Sequence, residues 1–479
     1  MSNGEKIEKV KTSFQGNGSE KTKVRKTPHA YVIMLIIILI ATILAFVIPS
    51  GTFDRVEDSA TGKTLVIADS FKYVEKVYVN IFQAFQAIPK GIQKSSSIIA
   101  FIFLISGSVQ IIKGTGALDA AIINLVRKLK GKDTPLLVVI IIIFSLLGAI
   151  FGFAEETMPF IALGVAMGTA LGYDRVVGFH IVRTAAWVGF AGAFLNPFTI
   201  GVAQSIAELP LFSGLLYRLL CYAVFMIIGF WFILSYAKKV KEDPKNSIIY
   251  GYEGDKDFKL DENFNKFTTR HKLVLLVFLF NIIFLLVGVL KFNWYTTELA
   301  ALFLGFGIIC GLVGKLSPNQ IAKEFTKGMS EVTFGAIIVG FARAIVVILE
   351  EGVVLDTIIY GLSRPLLNIS SSVAGVGMFL VQWVINFFIG SGSGQAAATM
   401  PIMVPLSDII GITRQTAVLA FQFGDGITNM CWPSMIFYLA MADIPYDKWF
   451  PHIMKLVISL TIAGMVLVAI AGVIGYGPF

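Results

Sequence analysis

From Leu136 to Phe153 the chain is an almost unbroken run of Leu, Val, Ile and Phe, and beyond Pro159 it is apolar again to Leu171. Apolar runs of ~18 residues or more mark helices that cross a bilayer, and several windows here are that long. The chain is 56% hydrophobic and 15% charged, with mean hydropathy +0.78. Its 479 residues have room for about ten crossings of a ~30 Å hydrocarbon core built as one unit. A soluble domain with a single anchor is excluded. The run Tyr31–Pro49 follows a polar tail and lacks a small-residue cleavage motif, so it is expected to be a span and not a removable leader.

Inside the first of these runs stand two adjacent acids, Glu155 and Glu156, in Ala154-Glu155-Glu156-Thr157-Met158-Pro159. A carboxylate at membrane depth costs roughly 2.5–3.5 kcal/mol even on lenient insertion scales, so it normally faces a cavity and serves a function. Two of them imply a site for positive charge. Cys221, Cys310 and Cys431 have unrelated spacings and suggest neither metal nor disulfide; no cofactor is expected. The basic clusters Lys21–Lys26, Arg127–Lys132 and Lys238–Lys245 are expected on the cytoplasmic side. Each borders a membrane segment, so nucleic acid is not an expected partner. Residues 1–27, rich in Lys, Ser and Gly, are expected to be disordered.

The second half echoes the first. Thr157-Met158-Pro159 matches Thr399-Met400-Pro401, Lys90-Gly91 matches Lys327-Gly328, Leu118-Asp119 matches Leu355-Asp356, and Tyr31–Pro49 matches Leu273–Leu290. Matches in order at nearly constant offset indicate duplication, as in many secondary transporters. The expected organisation is a first membrane repeat over 28–240, a cytoplasmic linker over 241–270, and a second repeat over 271–479. The stretch after Gly152–Thr157 is too short for two full crossings, so 135–171 is expected to be a re-entrant hairpin, matched by a second over 373–410. An additional span at Leu299–Leu312 reverses the second half and makes the repeats inverted. Glu350, Glu351 and Asp356 then fall in an outer segment.

Four interruptions collect the unusual polar residues. They are the tip Gly152–Thr157, the tip Gly390-Ser391-Gly392-Ser393-Gly394-Gln395, the break Gly189–Gly192 with Asn196-Pro197, and Gly424-Asp425-Gly426 with Thr428-Asn429 and Pro433. Irregular backbone at membrane depth is tolerated where it lines protein or water, and half-helix ends there attract ions. Each has a plainer alternative. The Gly-Ser repeat is compatible with close helix packing, Asp425 with an ion pair to Arg183 or Arg343, Arg343 with a structural bridge to Glu350, and Asn196-Pro197 with a kink. An intramembrane protease would need a zinc motif, facing Asp residues, or a Ser with a His at equal depth. His29, His180, His271 and His452 all lie near expected span ends, so the chain is not expected to be an enzyme. A passive channel fits two opposed tips less well than an occluding site does.

Together these motifs resemble the YfcC-type branch of the anaerobic C4-dicarboxylate carrier family, within the ion transporter superfamily, over nearly the whole chain from about residue 28. The resemblance implies an all-α polytopic membrane protein of the bacterial cytoplasmic membrane. It further implies a scaffold domain, a transport domain holding two hairpins and two broken helices, elevator-like movement, and a homodimer. The chain also looks like bacterial arginine–ornithine antiporters. Where dicarboxylate carriers of the superfamily have neutral Ser-Asn-Thr-type tips, this chain has Glu-Glu-Thr. Bringing a dianion to ~4 Å from an ionised carboxylate costs roughly 4 kcal/mol per unit pair at an effective dielectric near 20. A cationic amino acid is therefore the expected small-molecule substrate, in an arginine/ornithine exchange. The alternative is a proton- or sodium-coupled carrier of C4-dicarboxylates or other organic anions. The expected binding residues are Glu155, Glu156, Thr157, Asn196, Ser391, Gly392, Ser393, Gln395, Asp425, Thr428 and Asn429, with Trp187 or Trp432 available to stack on the cation.

Overall fold

The architecture is taken from a computed structural model. It describes residues 30–479 apart from 59–62, 68–69, 129–132, 155–156, 253–266, 293, 365–368, 433–434 and 478–479. The tail 1–27 and the centre of the 241–270 linker lie outside the described residues. Six described helices are long and apolar enough to cross a membrane. The only strands among the described residues are two small antiparallel ribbons, Gly51–Thr52 with Lys72–Tyr73 and Arg55–Asp58 with Lys63–Val66. They occupy the expected polar outer segment, so all-α holds for everything else described.

The longest element is helix Pro318–Glu351, with 34 residues and therefore roughly 51 Å of length at ~1.5 Å per residue. Its start is fixed chemically. Ser317 accepts from Gln320 N, the Gln320 side chain reaches back to Ser317 N, and Pro318 stands at the first helical position. Helices Ala30–Val47, Ile81–Lys94 and Ser96–Gly114 pack along it. Small residues set the approach, because a Cβ on Gly91 would lie 2.3 Å from Gly340 O and one on Gly107 2.5 Å from the Phe325 ring. The extra span expected at Leu299–Leu312 is helix Thr296–Val313, packed on Thr269–Phe292 and Ser96–Gly114.

A second group surrounds helix Arg414–Thr428, which packs against Ser371–Ile385, Tyr446–Val473 and Ala185–Ala191; Asp133–Phe151 lies on Ala185–Ala191. The groups meet where Gly392–Ile409 crosses Pro318–Glu351. In the segment expected outside, Glu351 pairs with Lys90 (2.6 Å), Glu350 with Lys94 (2.7 Å) and Arg343 (3.4 Å), and Asp356 with Arg55 (2.6 Å). Arg343 is thus a structural partner of Glu350.

Three of the four interruptions fall where the glycines and prolines put them. Asp133–Phe151 stops before Gly152 (φ 66°) and the chain restarts as Met158–Ala170; Ser371–Ile385 restarts as Gly392–Ile409. Ala185–Ala191 ends at Gly192 and resumes in a π-helical turn at Pro197. The fourth differs. Helix Arg414–Thr428 runs unbroken through Gly424-Asp425-Gly426. Those glycines serve close approach: a Cβ on Gly424 would lie 2.5 Å from Gln382 Cβ, and one on Gly426 2.5 Å from Ala191 Cα. His180 stands near the start of its span, five residues after Arg175. It is fully buried in the π-helical turn His180–Thr184, with Nε2 2.9 Å from His452 Nε2.

Candidate functional site

The interrupted segments converge on a cavity of about 250 Å³. Gly152 and Ala154 reach it from the first tip, and Ser391, Gly392 and Ser393 from the second. Trp187, Phe198 and Thr199 come from either side of the Asn196 break, and Asn429 from just beyond the end of Arg414–Thr428. The opposite wall is helix Pro318–Glu351, through Glu331, Val332, Phe334 and Gly335. Glu155 and Glu156, between Ala154 and Thr157, lie outside the described residues.

Helix Gly392–Ile409 begins at the cavity. Ser391 Oγ takes Gly394 N (3.4 Å), and the other first-turn N–H groups have no carbonyl of their own helix to meet. The result is a partial positive charge suited to a carboxylate. Gly392 is required by crowding, since a Cβ there would lie 2.5 Å from Thr199 Cγ2 and 3.0 Å from Asp425 Oδ2.

Asp425 is fully buried behind that tip. Its Oδ1 accepts from Asn386 Nδ2 (2.9 Å), and its backbone carbonyl from Asn429 Nδ2 (2.8 Å). Neither arginine named as an alternative partner holds it. Thr428 Oγ1 donates to Asn386 Oδ1 (2.7 Å), Gln395 Oε1 accepts from Asn386 Nδ2 (3.2 Å), and Gln395 Nε2 donates to Gln382 Oε1 (2.8 Å). Gln395 and Thr428 therefore form the network that orients Asp425 and do not line the cavity. Asn196 also sits behind it. Its Oδ1 accepts from Phe198 N (2.9 Å), and a Cβ on Gly152 would lie 2.7 Å from that oxygen. Asp425 Oδ2, Thr199 Oγ1, Asn196 Nδ2 and Trp187 Nε1 are buried without a hydrogen-bond partner among the described residues. Such groups cost free energy unless something satisfies them.

Thr157 is buried, donates to Ala154 O (2.7 Å) and accepts from Arg183 Nη1 (2.7 Å). Arg183 also donates to Ala154 O, and its guanidinium lies 3.4 Å from the Tyr438 ring centre and 4.9 Å from that of Trp187. It thus stands one layer behind Trp187. Trp432 packs on Trp383 and Phe387 (centroids 5.3 and 5.0 Å) and does not line the cavity.

Two polar lining residues are not among those expected from the sequence, Glu331 and Thr199. Glu331 lies 13 residues into its helix, or about 20 Å along it, and no cationic partner lies within 4 Å among the described residues. Its signal was an acid between Gly328 and the apolar run that follows.

An apolar helical protein whose broken helices converge on an open cavity with both polar and apolar lining has the build of a membrane transporter, and the comparisons agree. The sequence matches the DcuC family, C4-dicarboxylate anaerobic carrier, over residues 27–473, and the chain belongs to that family. It is 31% identical to the "Putative basic amino acid antiporter YfcC" of Escherichia coli K12, over 96% of this chain and 99% of that protein. Its fold is similar to the YdaH transporter of Alcanivorax borkumensis (TM-score 0.68, 15% identity, 94% of this chain and 100% of that one). It is also similar to MtrF of Neisseria gonorrhoeae, described among antimetabolite efflux pumps (TM-score 0.71, 17% identity, 94% and 96%). The chain is a multi-pass protein of the bacterial inner membrane.

Proposed function

We propose that this transporter exchanges cationic amino acids, arginine against ornithine or close relatives, by alternating access. One observation carries the proposal: among the described residues Glu331 is the one charged residue that lines the cavity, beside hydroxyl, amide and apolar groups, and no Lys or Arg lines it. Asp425 adds a second acid behind the tip. The cationic end of the substrate would meet Glu331, and Glu155 or Glu156, where a guanidinium makes paired hydrogen bonds to one carboxylate. The α-carboxylate would sit on the first turn of Gly392–Ile409 beside Ser391 and Ser393. Trp187 would cover the cation.

An empty carrier with unanswered carboxylates would cross the low-dielectric barrier reluctantly, and a loaded one readily. That favours one-for-one exchange. The two helix groups would act as scaffold (Ala30–Val47, Ile81–Gly114, Thr269–Glu351) and transport unit in an inverted-repeat, elevator-type homodimer. The name of the Escherichia coli relative, a basic amino acid antiporter, supports a basic cargo. The family description and the buried Arg183 beside the first tip favour the second reading, a proton- or sodium-coupled carrier of C4-dicarboxylates.

Ligand-induced stabilisation of the purified protein separates the two. Arginine, ornithine and lysine should raise the thermal midpoint, and succinate should not. Stabilisation by succinate alone would replace the first reading with the second. Glu155→Gln should abolish the arginine response in a folded protein; an unchanged response removes Glu155 from the site.

A further inference from the structure

Away from the transport cavity, a second cavity of about 340 Å³ lies between the antiparallel helices Leu215–Glu242 and Tyr446–Val473. One wall is polar and basic, formed by Lys239, Lys455, His452 and Asn246. The other is apolar, with Trp231 and Leu456, and Trp231 is 68% exposed. Both lysines lie at the end that the basic loop Lys238–Lys245 marks as cytoplasmic. Lys239 is three residues from the end of its helix and Lys455 nine from the start of its own. The cavity therefore spans roughly 5–15 Å inward from the helix ends at ~1.5 Å per residue, the depth of headgroup and ester.

Nearby cations are already engaged: Lys238 faces Glu242 (3.8 Å) and Lys241 donates to Leu171 O. Neither Lys239 nor Lys455 has an acidic partner within 4 Å among the described residues. Asp174, behind the polar wall, is engaged by Val177 N (2.8 Å), Tyr236 OH (2.5 Å) and Ser247 Oγ (2.6 Å). The wall is also held in place, because Asn246 Nδ2 donates to Lys239 O (3.0 Å) and His452 is fixed by His180 (2.9 Å). Two unanswered ammonium groups over a preformed opening call for an anion with several oxygens, and an exposed indole beside them calls for an apolar continuation.

We propose that this cavity binds a phosphate group, and that its apolar wall selects the headgroup of an anionic phospholipid over free phosphate. The site is independent of the transport cavity and of the cargo assigned to it. The test is native mass spectrometry of the purified full-length protein with phosphatidylglycerol or phosphatidylcholine, alongside thermal midpoints with inorganic phosphate. At about a fivefold preference per lysine near the surface, phosphatidylglycerol should be retained with a bias that falls to near parity in Lys239→Gln/Lys455→Gln. Lys239→Arg/Lys455→Arg should keep the bias, and an unchanged helical circular-dichroism spectrum in all variants reports an intact fold. A lysine-dependent midpoint shift with inorganic phosphate and no lipid bias would keep the phosphate site and reject the lipid. Equal retention of both lipids with no phosphate response, or a bias that survives Lys239→Gln/Lys455→Gln, overturns the proposal.

Discussion

Glu331 and Asp425 are acids in different circumstances, and their substitutions should differ accordingly. Glu331 borders the cavity and makes no described ion pair, so Glu331→Gln should leave the fold unchanged. It should weaken arginine binding by roughly 10–100-fold, since a hydrogen bond to a charged group contributes about 1.5–3 kcal/mol; titration calorimetry on the purified variant measures this. Asp425 is fully buried, with Oδ1 on Asn386 and Oδ2 without a described partner. Removing a buried charge relieves its desolvation cost, so Asp425→Asn should raise the thermal midpoint of the empty protein while weakening arginine binding. A fall in both would make Asp425 a structural anchor instead.

At the scale of elements, glycine governs which helices approach and which stop. Gly424→Ala places a methyl 2.5 Å from Gln382 Cβ and 2.8 Å from Trp383 N; overpacking of this kind typically costs about 1–3 kcal/mol. A lowered thermal midpoint is expected. Gly377→Ala, on the facing helix with nothing within 4 Å, should be neutral or slightly stabilising through helix propensity. This pair also explains what could be read from the chain. The interruptions at Gly152, Asn196-Pro197 and Gly390–Gly392 were legible because glycine or proline there coincides with polar residues. Gly424-Asp425-Gly426 has the same appearance, yet its glycines admit Gln382 and Ala191, partners distant in sequence that no local pattern reveals. Glu331 was hidden for a related reason. It precedes an apolar run and so resembles the polar edge of a span, whereas the helix begins 13 residues earlier. Arg183, one of two alternative partners that the sequence offers for Asp425, instead holds Ala154 and Thr157.

Over the whole molecule, two packed groups of helices face each other across one cavity, with the start of Gly392–Ile409 on one side and Glu331 on the other. In the proposed reading, a carboxylate on that helix start and a basic group at Glu331 match an amino acid with a basic side chain, whereas a dicarboxylate would leave Glu331 opposed by like charge. Relative movement of the two groups would expose the loaded cavity to each side in turn. The most direct measurement is counterflow in proteoliposomes preloaded with labelled arginine. External arginine or ornithine should release the label one for one, external succinate should not, and release should need no sodium or proton gradient. Exchange of preloaded succinate for external succinate, with arginine and ornithine inert on either side, would contradict the cationic assignment.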